Sequence, residues 1–417
     1  MTVEVSTLAN GLRVATDTMS SVETVAVGVW VAAGTRHETA EVNGISHLLE
    51  HMAFKGTARR SAQAIAEEMD NVGGQLNAYT SRDHTAYYAK VLKEDLALAG
   101  DILSDILLNS AMDAEELARE QHVVVQEINQ ADDTPDDIIF DHFQAAAFPD
   151  QPLGWPVLGR EAVVRAVTPQ RLKDYMAGNY AADNMVASAS GAVDHDTFVA
   201  LIEAAFAALP RRSAVSEIAG RYAGGDFRPP RELEQIHVVL GYGGVAHADP
   251  DFYNVAALST LLGEGMSSRL FQEIREKRGL AYSVFSSAQS FSDSGVFSIY
   301  LGTGQGDVPK LVPVLRDEIR KVAEAISEDE VKRARAQIKA GLLMSLESPG
   351  SRCAQNARQI MVYGRPLTTA EIIAKVEDVN AAGITRAAQR IFSGTPTLAA
   401  LGEAKALDGL AALRGRI

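Results

Sequence analysis

The stretch Gly44-Ile45-Ser46-His47-Leu48-Leu49-Glu50-His51-Met52 has no glycine or proline after its first residue, and its apolar residues suit a helix. Positions four apart on a helix lie above one another, so His47 and His51 direct two imidazoles at one point. Such a pair binds Zn²⁺ through ring nitrogens. Glu50 lies beside them and is placed to take a proton from a water at the metal. The stretch therefore predicts a zinc site with its own base. The alternative is an amphipathic helix with two surface histidines and a solvated glutamate.

Composition limits the class of protein. The chain has 417 residues, more than one hydrophobic core usually serves, and 47% hydrophobic with 22% charged residues is ordinary for a globular protein. The formal charge of −15 argues against nucleic acid as a partner. Cys353 is the only cysteine, so no intramolecular disulfide can form. The N-terminus has neither a signal-peptide nor a transit-peptide pattern, and no run approaches the roughly 18 apolar residues of a membrane span. We expect a cytoplasmic protein that binds no membrane.

The order of predicted elements occurs twice along the chain. Strand patterns at 3–8, 12–16 and 24–33 precede the motif helix, which is predicted at about 41–54. A polar stretch at 210–230 precedes a second series of strands and long helices. Aligning the two series places Leu258 and Leu262 at the positions of His47 and His51. We therefore predict an N-terminal metal-binding domain at 1–209, a linker at 210–230 and a C-terminal domain of the same fold at 231–417 without the metal motif.

This pattern sets the fold class. Strands cluster with long helices and do not alternate strictly with them, which favours an α+β protein. The prediction is two duplicated halves, each an antiparallel sheet of about five to six strands packed with long helices.

A catalytic zinc takes three protein ligands and keeps one position open, so a third ligand is required. The predicted helix at 114–130 carries Glu120 and Glu127, which lie seven apart and share a face. One or both carboxylates face a cation, or the face is merely acidic and solvated. The rival third ligands are His84, His122 and His142.

The pentapeptide His47-Leu48-Leu49-Glu50-His51 has the inverted zincin order, and Glu127 follows His51 by 76 positions. This combination resembles the pitrilysin family of zinc metallopeptidases, most closely the β subunits of mitochondrial processing peptidases and their bacterial relatives. The similarity covers nearly the whole chain, including its two halves. It implies that His47, His51 and Glu127 bind one Zn²⁺ per chain and that Glu50 is the general base. Glu120 matches the family's second glutamate on the same helix, which does not bind the metal but orients a ligand or raises its basicity.

Further matches concern substrate binding. The strand around Asn77 and Ala78 is, by itself, an ordinary internal strand, but in the family it is a sheet edge to which a substrate peptide adds. A helix is predicted at 267–277, and Arg275 and Tyr282 flank the tight turn at Gly279 that follows it. Alone they are a helix-end arginine and a packed tyrosine. In the family such a pair binds the substrate backbone and the developing oxyanion.

Two features suggest how a substrate is recognised. Asp137 and Asp141 fall ten and fourteen positions after Glu127, where processing peptidases bind a substrate arginine. The alternative is a solvated acidic helix start. Gly263-Glu264-Gly265-Met266 resembles the glycine-rich loop of their non-catalytic subunits. In the heterodimeric relatives the zinc motif and the Arg/Tyr pair lie on different chains, whereas this chain carries both. A homodimer is the natural inference.

The resemblance implies a zinc-dependent endopeptidase that cleaves short or unfolded peptides, with basic, presequence-like peptides as one class. The alternative is a non-catalytic structural subunit of the same fold. Such core subunits typically have eroded metal motifs, whereas the motif positions here are intact.

Overall fold

The computed structural model describes residues 3–213, 218–403 and 407. In it the chain folds into two compact units. The first unit comprises Met1–Asn129, Trp155–Ile218 and Leu343–Thr369, and the second comprises Gln130–Gly154, Ala219–Leu342 and Ala370–Ile417. Each unit combines segments from both sides of the predicted linker, so the domain boundaries at 209 and 231 stay a prediction. Part of that linker, residues 214–217, lies outside the described residues.

The strands that the structure describes are, in chain order, β1 (Glu4–Thr7), β2 (Arg13–Thr18), β3 (Thr24–Val31), β4 (Gln75–Thr80), β5 (Thr85–Leu92), β6 (Met185–Gly191), β7 (Gly225–Phe227), β8 (Gln235–Gly243), β9 (Ser283–Ser290), β10 (Gly295–Gly304) and β11 (Thr397–Leu401). The helices in its first half are α1 (Ile45–Ala53), α2 (Ala62–Asn71), α3 (Leu96–Leu108), α4 (Ala114–Asp132), α5 (Pro135–Ala147), α6 (Glu161–Val164), α7 (Pro169–Asn179) and α8 (His195–Ala205). Those in its second half are α9 (Phe252–Gly263), α10 (Val308–Glu324), α11 (Glu328–Ser345), α12 (Pro349–Tyr363), α13 (Thr369–Asp378) and α14 (Ala381–Phe392).

The first unit is built on a six-stranded sheet in the order β1-β2-β6-β3-β5-β4. Neighbouring strands are antiparallel except β2 and β6, because β6 returns to the sheet after the long helical segment that follows β5. One face holds the main core, which includes Leu48 of α1, Ile102 of α3 and Val124 of α4. The opposite face is covered by α12, whose Cys353, Ala357 and Ile360 pack on a cluster of sheet residues that includes three alanines and Trp30.

The second unit is built on a five-stranded sheet in the order β7-β11-β8-β10-β9. Only β7 and β11 pair in parallel. The main core of this unit lies against α9, α10 and α14, and α5 covers the other face through Ile139 and Phe143. In each unit, therefore, one face of the sheet is covered by a helix that lies in the other half of the sequence.

The predicted fold class is confirmed, with six-stranded and five-stranded sheets packed with helices. The predicted helix at 41–54 begins only at Ile45, because Gly44 has a φ of +96°. The predicted helix at 267–277 is a π-helix at Phe271–Glu276. No element was predicted for the segments that form the helices α12, α13 and α14. Among the described residues, no helix is both long enough and apolar enough to cross a membrane.

Candidate metal centre

The faces of α1 explain why its polar residues converge. Ile45, Leu48, Leu49 and Met52 follow helical spacing and are buried in the core of the first unit. His47, Glu50 and His51 consequently lie on the opposite, half-buried face. Core packing of α1 thus places all three side chains on the same side of the helix.

The start of α1 is held by a buried carboxylate. The backbone N–H groups of Gly44 and Ser46 donate to the two oxygens of Glu38 at 2.7 and 2.9 Å, and the Asn43 amide donates at 3.0 Å. Burial raises the pKa of Glu38 to about 7, while these donors act against that rise. Glu38 therefore binds N–H groups that a helix start leaves without partners, directly ahead of His47.

His47, His51 and Glu127 form a group that can hold a metal ion. Glu127 Oε2 lies 3.7 Å from His47 Nε2 and 3.7 Å from His51 Nε2, and one ligand atom from each residue lies within 4.8 Å of the others. Atoms that each lie about 2.1 Å from a tetrahedral zinc are about 3.4 Å apart, so the spacing fits that ion. Burial and the neighbouring His51 lower the pKa of His47 to about 4, which keeps this imidazole neutral and able to ligate.

Glu120 contacts the ring nitrogen of His51 that does not face Glu127. Its Oε2 lies 2.9 Å from His51 Nδ1, and its Oε1 lies 2.8 Å from Lys55 Nζ. The Glu120 side chain is only 7% exposed, so both contacts are made away from bulk water. A carboxylate on Nδ1 directs the Nε2 lone pair of His51 toward the point that it shares with Glu127.

Glu50 is held by the neighbouring sheet. The Thr80 hydroxyl, at the end of β4, donates to Glu50 Oε2 at 2.6 Å. Burial raises the pKa of Glu50, and the Thr80 hydrogen bond lowers it. A carboxylate with this environment, one residue from His51, is suited to accept a proton at the metal.

The strand β4 is the outermost strand of its sheet. The Ala78 N–H bonds to its neighbour's side chain, Asn77 Oδ1, at 2.8 Å. Because backbone groups alternate in direction along an antiparallel strand, this contact places the Ala78 N–H on the free edge. The predicted binding residues therefore lie on a sheet edge that can accept another strand.

The rival third ligands lie elsewhere. The His84 ring contacts the Tyr79 hydroxyl at 3.0 Å, and His122 is an exposed side chain beside Gln126. In the second unit, His142 packs against Phe227. Within the described residues, the group with metal-ligand spacing is His47, His51 and Glu127.

The remaining predicted residues lie in the second unit. The Arg275 guanidinium lies 4.8 Å from the ring centre of Tyr282, which is 74% exposed, and 4.9 Å from that of Phe271. Asp137 is exposed in the first turn of α5, and Asp141 lies one turn further on. The structure thus brings Arg275 and Tyr282 together on one side of this unit.

The chain is similar to known proteins over most of its length. The family model Insulinase (Peptidase family M16) matches residues 13–161, and the model Peptidase M16 inactive domain matches residues 166–338. A zinc protease of Rickettsia felis is 39% identical to the chain and covers 95% of it, with 97% of the relative covered. The chain belongs to peptidase family M16. Another member, a zinc protease of Bacillus subtilis, is 37% identical, with 94% of this chain and 96% of the relative covered.

Solved structures of M16 type have the same fold. A protease from Helicobacter pylori superposes with a TM-score of 0.89 at 24% identity, covering 96% of this chain and 99% of that one. A Pseudomonas fluorescens protein described as a peptidase M16 inactive domain gives a TM-score of 0.88 at 20% identity, covering 96% and 98%. The predicted pitrilysin-type family is confirmed by the two family models and by the relatives of 37–39% identity. The zinc cofactor is confirmed by the zinc protease relatives together with the His47, His51 and Glu127 group.

Sequence reasoning missed three residues of this M16 centre. Lys55 lies four positions after His51, a spacing that could have indicated a contact near the motif. Thr80 lies two positions after Ala78, so alternation along a strand could have placed both on one face. No local pattern indicates Glu38, because its partners lie in a loop and a helix start that come together only in the folded chain.

Proposed function

We propose that the chain is a zinc-dependent endopeptidase that cleaves short or unfolded peptides. The observation that carries this proposal is the convergence of His47, His51 and Glu127, with the Glu50 carboxylate on the same helix face. Two imidazoles and one carboxylate leave a fourth position open, as catalytic zinc sites require.

In this proposal His47, His51 and Glu127 hold the metal, and Glu120 orients His51. Zinc bound there would lower the pKa of a water and polarise a peptide carbonyl. Glu50 would take up a proton at its carboxylate and release it to the leaving amine. The burial that raises the pKa of Glu50 makes its protonated form easier to reach, which suits a group that carries a proton between two steps.

Peptide binding is proposed at the edge of β4. An extended substrate would pair with the backbone at Asn77 and Ala78, which gives affinity with little sequence preference. The Asn77 side chain accepts a hydrogen bond from the Ala78 N–H. It would turn away when a substrate carbonyl oxygen accepts that hydrogen bond instead.

The finer parts of the proposal come from the family resemblance. Arg275 and Tyr282 would bind the substrate backbone and the oxyanion, and Asp137 and Asp141 would favour basic, presequence-like peptides. An oxyanion donor of this kind is worth about 3 kcal/mol. We also propose that the protein forms a homodimer with two complete sites and that it is cytoplasmic.

The alternative is a non-catalytic subunit of the same fold. The family model for an inactive domain matches residues 166–338, whereas His47, Glu50, His51 and Glu127 all lie within the match to Peptidase family M16. This distribution supports catalysis by the first match and a supporting role for the second.

The test is incubation of the purified full-length chain with a mixed peptide library, with and without a chelator, and mass spectrometry of the cut sites. We expect cleavage that the chelator abolishes and added zinc restores. Glu50→Gln should keep its zinc and lose turnover, whereas Glu41→Gln, an exposed glutamate ahead of α1, should cut like the wild type. Cleavage that ignores the chelator, or full turnover by Glu50→Gln with verified zinc, would refute the proposal.

A further inference from the structure

The contact between Thr80 and Glu50 joins two elements that are distant in sequence. Thr80 Oγ1 lies 2.6 Å from Glu50 Oε2, a short distance typical of a hydroxyl that donates to a charged oxygen. Glu50 lies on α1, and Thr80 is the last residue of β4. The contact therefore couples the orientation of the carboxylate to the position of the edge strand.

Strand geometry makes this coupling specific. Alternate side chains on a strand share a face, so Thr80 lies on the same face as Ala78, and this face of β4 packs against α1. The Ala78 backbone lies at the free edge, only two residues, or about 7 Å, from Thr80. One short rigid segment thus carries both the edge backbone and the hydroxyl that holds Glu50.

Neighbouring hydroxyl groups are committed to other contacts. Thr85, which is paired with Thr80 across the hairpin, donates its hydroxyl to the Ala33 carbonyl oxygen at 2.9 Å. The hydroxyl groups of Tyr87 and Tyr180 bond to each other at 2.9 Å. Thr80 therefore supplies the hydrogen bond that fixes the rotation of the Glu50 carboxylate.

We infer that Thr80 is a positioning residue for Glu50 and that it aligns the base with a peptide bound at the edge of β4. This inference rests on the proposed function. Without the hydroxyl, the Glu50 carboxylate can rotate about its terminal torsion, which is broad for such a group. The Thr80 hydroxyl donates to Glu50 and lies outside the group of His47, His51 and Glu127, so we expect its loss to leave zinc binding unchanged.

The test compares Thr80→Val, which keeps the shape and removes the hydroxyl, with Thr80→Ser, which keeps the hydroxyl. We expect Thr80→Val to lower kcat by about 10- to 100-fold, since misplacement of a catalytic group costs rate on this scale. Its KM, its zinc content, its melting temperature and the affinity of its zinc-free form for a fluorescent peptide should match the wild type. Thr80→Ser should restore most of kcat.

Thr85→Val is the matched comparison, because it removes a strand hydroxyl that bonds to the backbone and not to Glu50. It should lower the melting temperature and leave kcat of the folded enzyme close to wild type. An unchanged kcat in Thr80→Val, or failure of Thr80→Ser to restore it, would overturn the inference while leaving the proposed function intact. A parallel loss of zinc, peptide affinity and melting temperature in Thr80→Val would also overturn it, since that is the result of a structural role. A wild-type chain that cuts no peptide would refute both proposals.

Discussion

The replacement Glu120→Gln tests how the protein tunes its proposed metal ligand. The amide keeps the size of the carboxylate and can keep one acceptor oxygen for His51 Nδ1–H, but it removes the charge. Lys55 then loses its partner, although its side chain is 31% exposed and can turn toward water. The main effect should therefore reach the metal through His51.

The size of the effect follows from the contact. The distance from His51 Nδ1 to Glu120 Oε2 is 2.9 Å, and Glu120 is 7% exposed, so the bond is charge-assisted and little screened. Such a bond is worth about 1.5–3 kcal/mol, compared with about 1 kcal/mol for a neutral bond. At 1.4 kcal/mol per factor of ten, its full loss weakens zinc binding by about 10- to 150-fold. Because the amide still accepts a neutral bond, we expect about tenfold for Glu120→Gln and up to about 100-fold for Glu120→Ala.

The measurement is the zinc dissociation constant at neutral pH, by competition with a chromophoric chelator. Glu116→Gln is the matched control, since Glu116 lies one turn earlier on α4 and pairs with Arg119 at the surface. Equal zinc affinity in Glu120→Gln and the wild type would refute the tuning role. An equal loss in Glu116→Gln would show that the effect is not specific to the contact with His51.

Three further predictions concern the metal ligands, the pH dependence of stability and a buried ion pair. His51→Ala should lose zinc, measured by elemental analysis of the purified chain, and an unchanged zinc stoichiometry would contradict the ligand assignment. In the zinc-free protein, the contribution of His47 to stability should fall by on the order of 3 kcal/mol as the pH falls from about 6.5 to about 4, because the unfolded chain takes up the His47 proton first, the pKa of His47 being lowered to about 4 when folded. In denaturant titrations across this range, His47→Gln should lose less than the wild type, and the exposed His122→Gln should match it. Arg36→Met should lower the melting temperature by several degrees, because the Arg36 side chain is 1% exposed and its loss removes the ion pair with Asp83 at 2.7 Å. A change of less than about 2 °C in calorimetry would contradict this.

The sequence predicts the metal helix well because its information is local. Helical spacing alone places His47 and His51 together and puts Leu48 and Leu49 in the core. Glu127 is different, since nothing in its own helix distinguished it from Glu120, and the family resemblance was needed to choose between them. The structure separates the two by contact: Glu127 lies near both imidazole Nε2 atoms, and Glu120 lies on Nδ1 of one.

Features that depend on packing between segments distant in the sequence could not be predicted from the sequence. The buried Cys353 and its helix α12 cover the sheet of the first unit, although Cys353 lies 165 positions from Ser188 of β6, to whose carbonyl oxygen it bonds. Burial raises the pKa of the Cys353 thiol to about 12. The sequence predicts a helix at 267–277 but not its hydrogen-bond pattern, and in the folded chain residues Phe271–Glu276 form a π-helix. Periodicity in a sequence identifies a helix but not the sheet on which it packs.

The central claim is that His47, His51 and Glu127 hold one divalent ion between them. The most direct measurement is anomalous diffraction at the zinc absorption edge from crystals of the zinc-loaded protein. The account predicts one peak per chain, about 2.0–2.2 Å from His47 Nε2, His51 Nε2 and a Glu127 carboxylate oxygen. A peak bound by other residues, or no peak at this position in zinc-saturated protein, would contradict it.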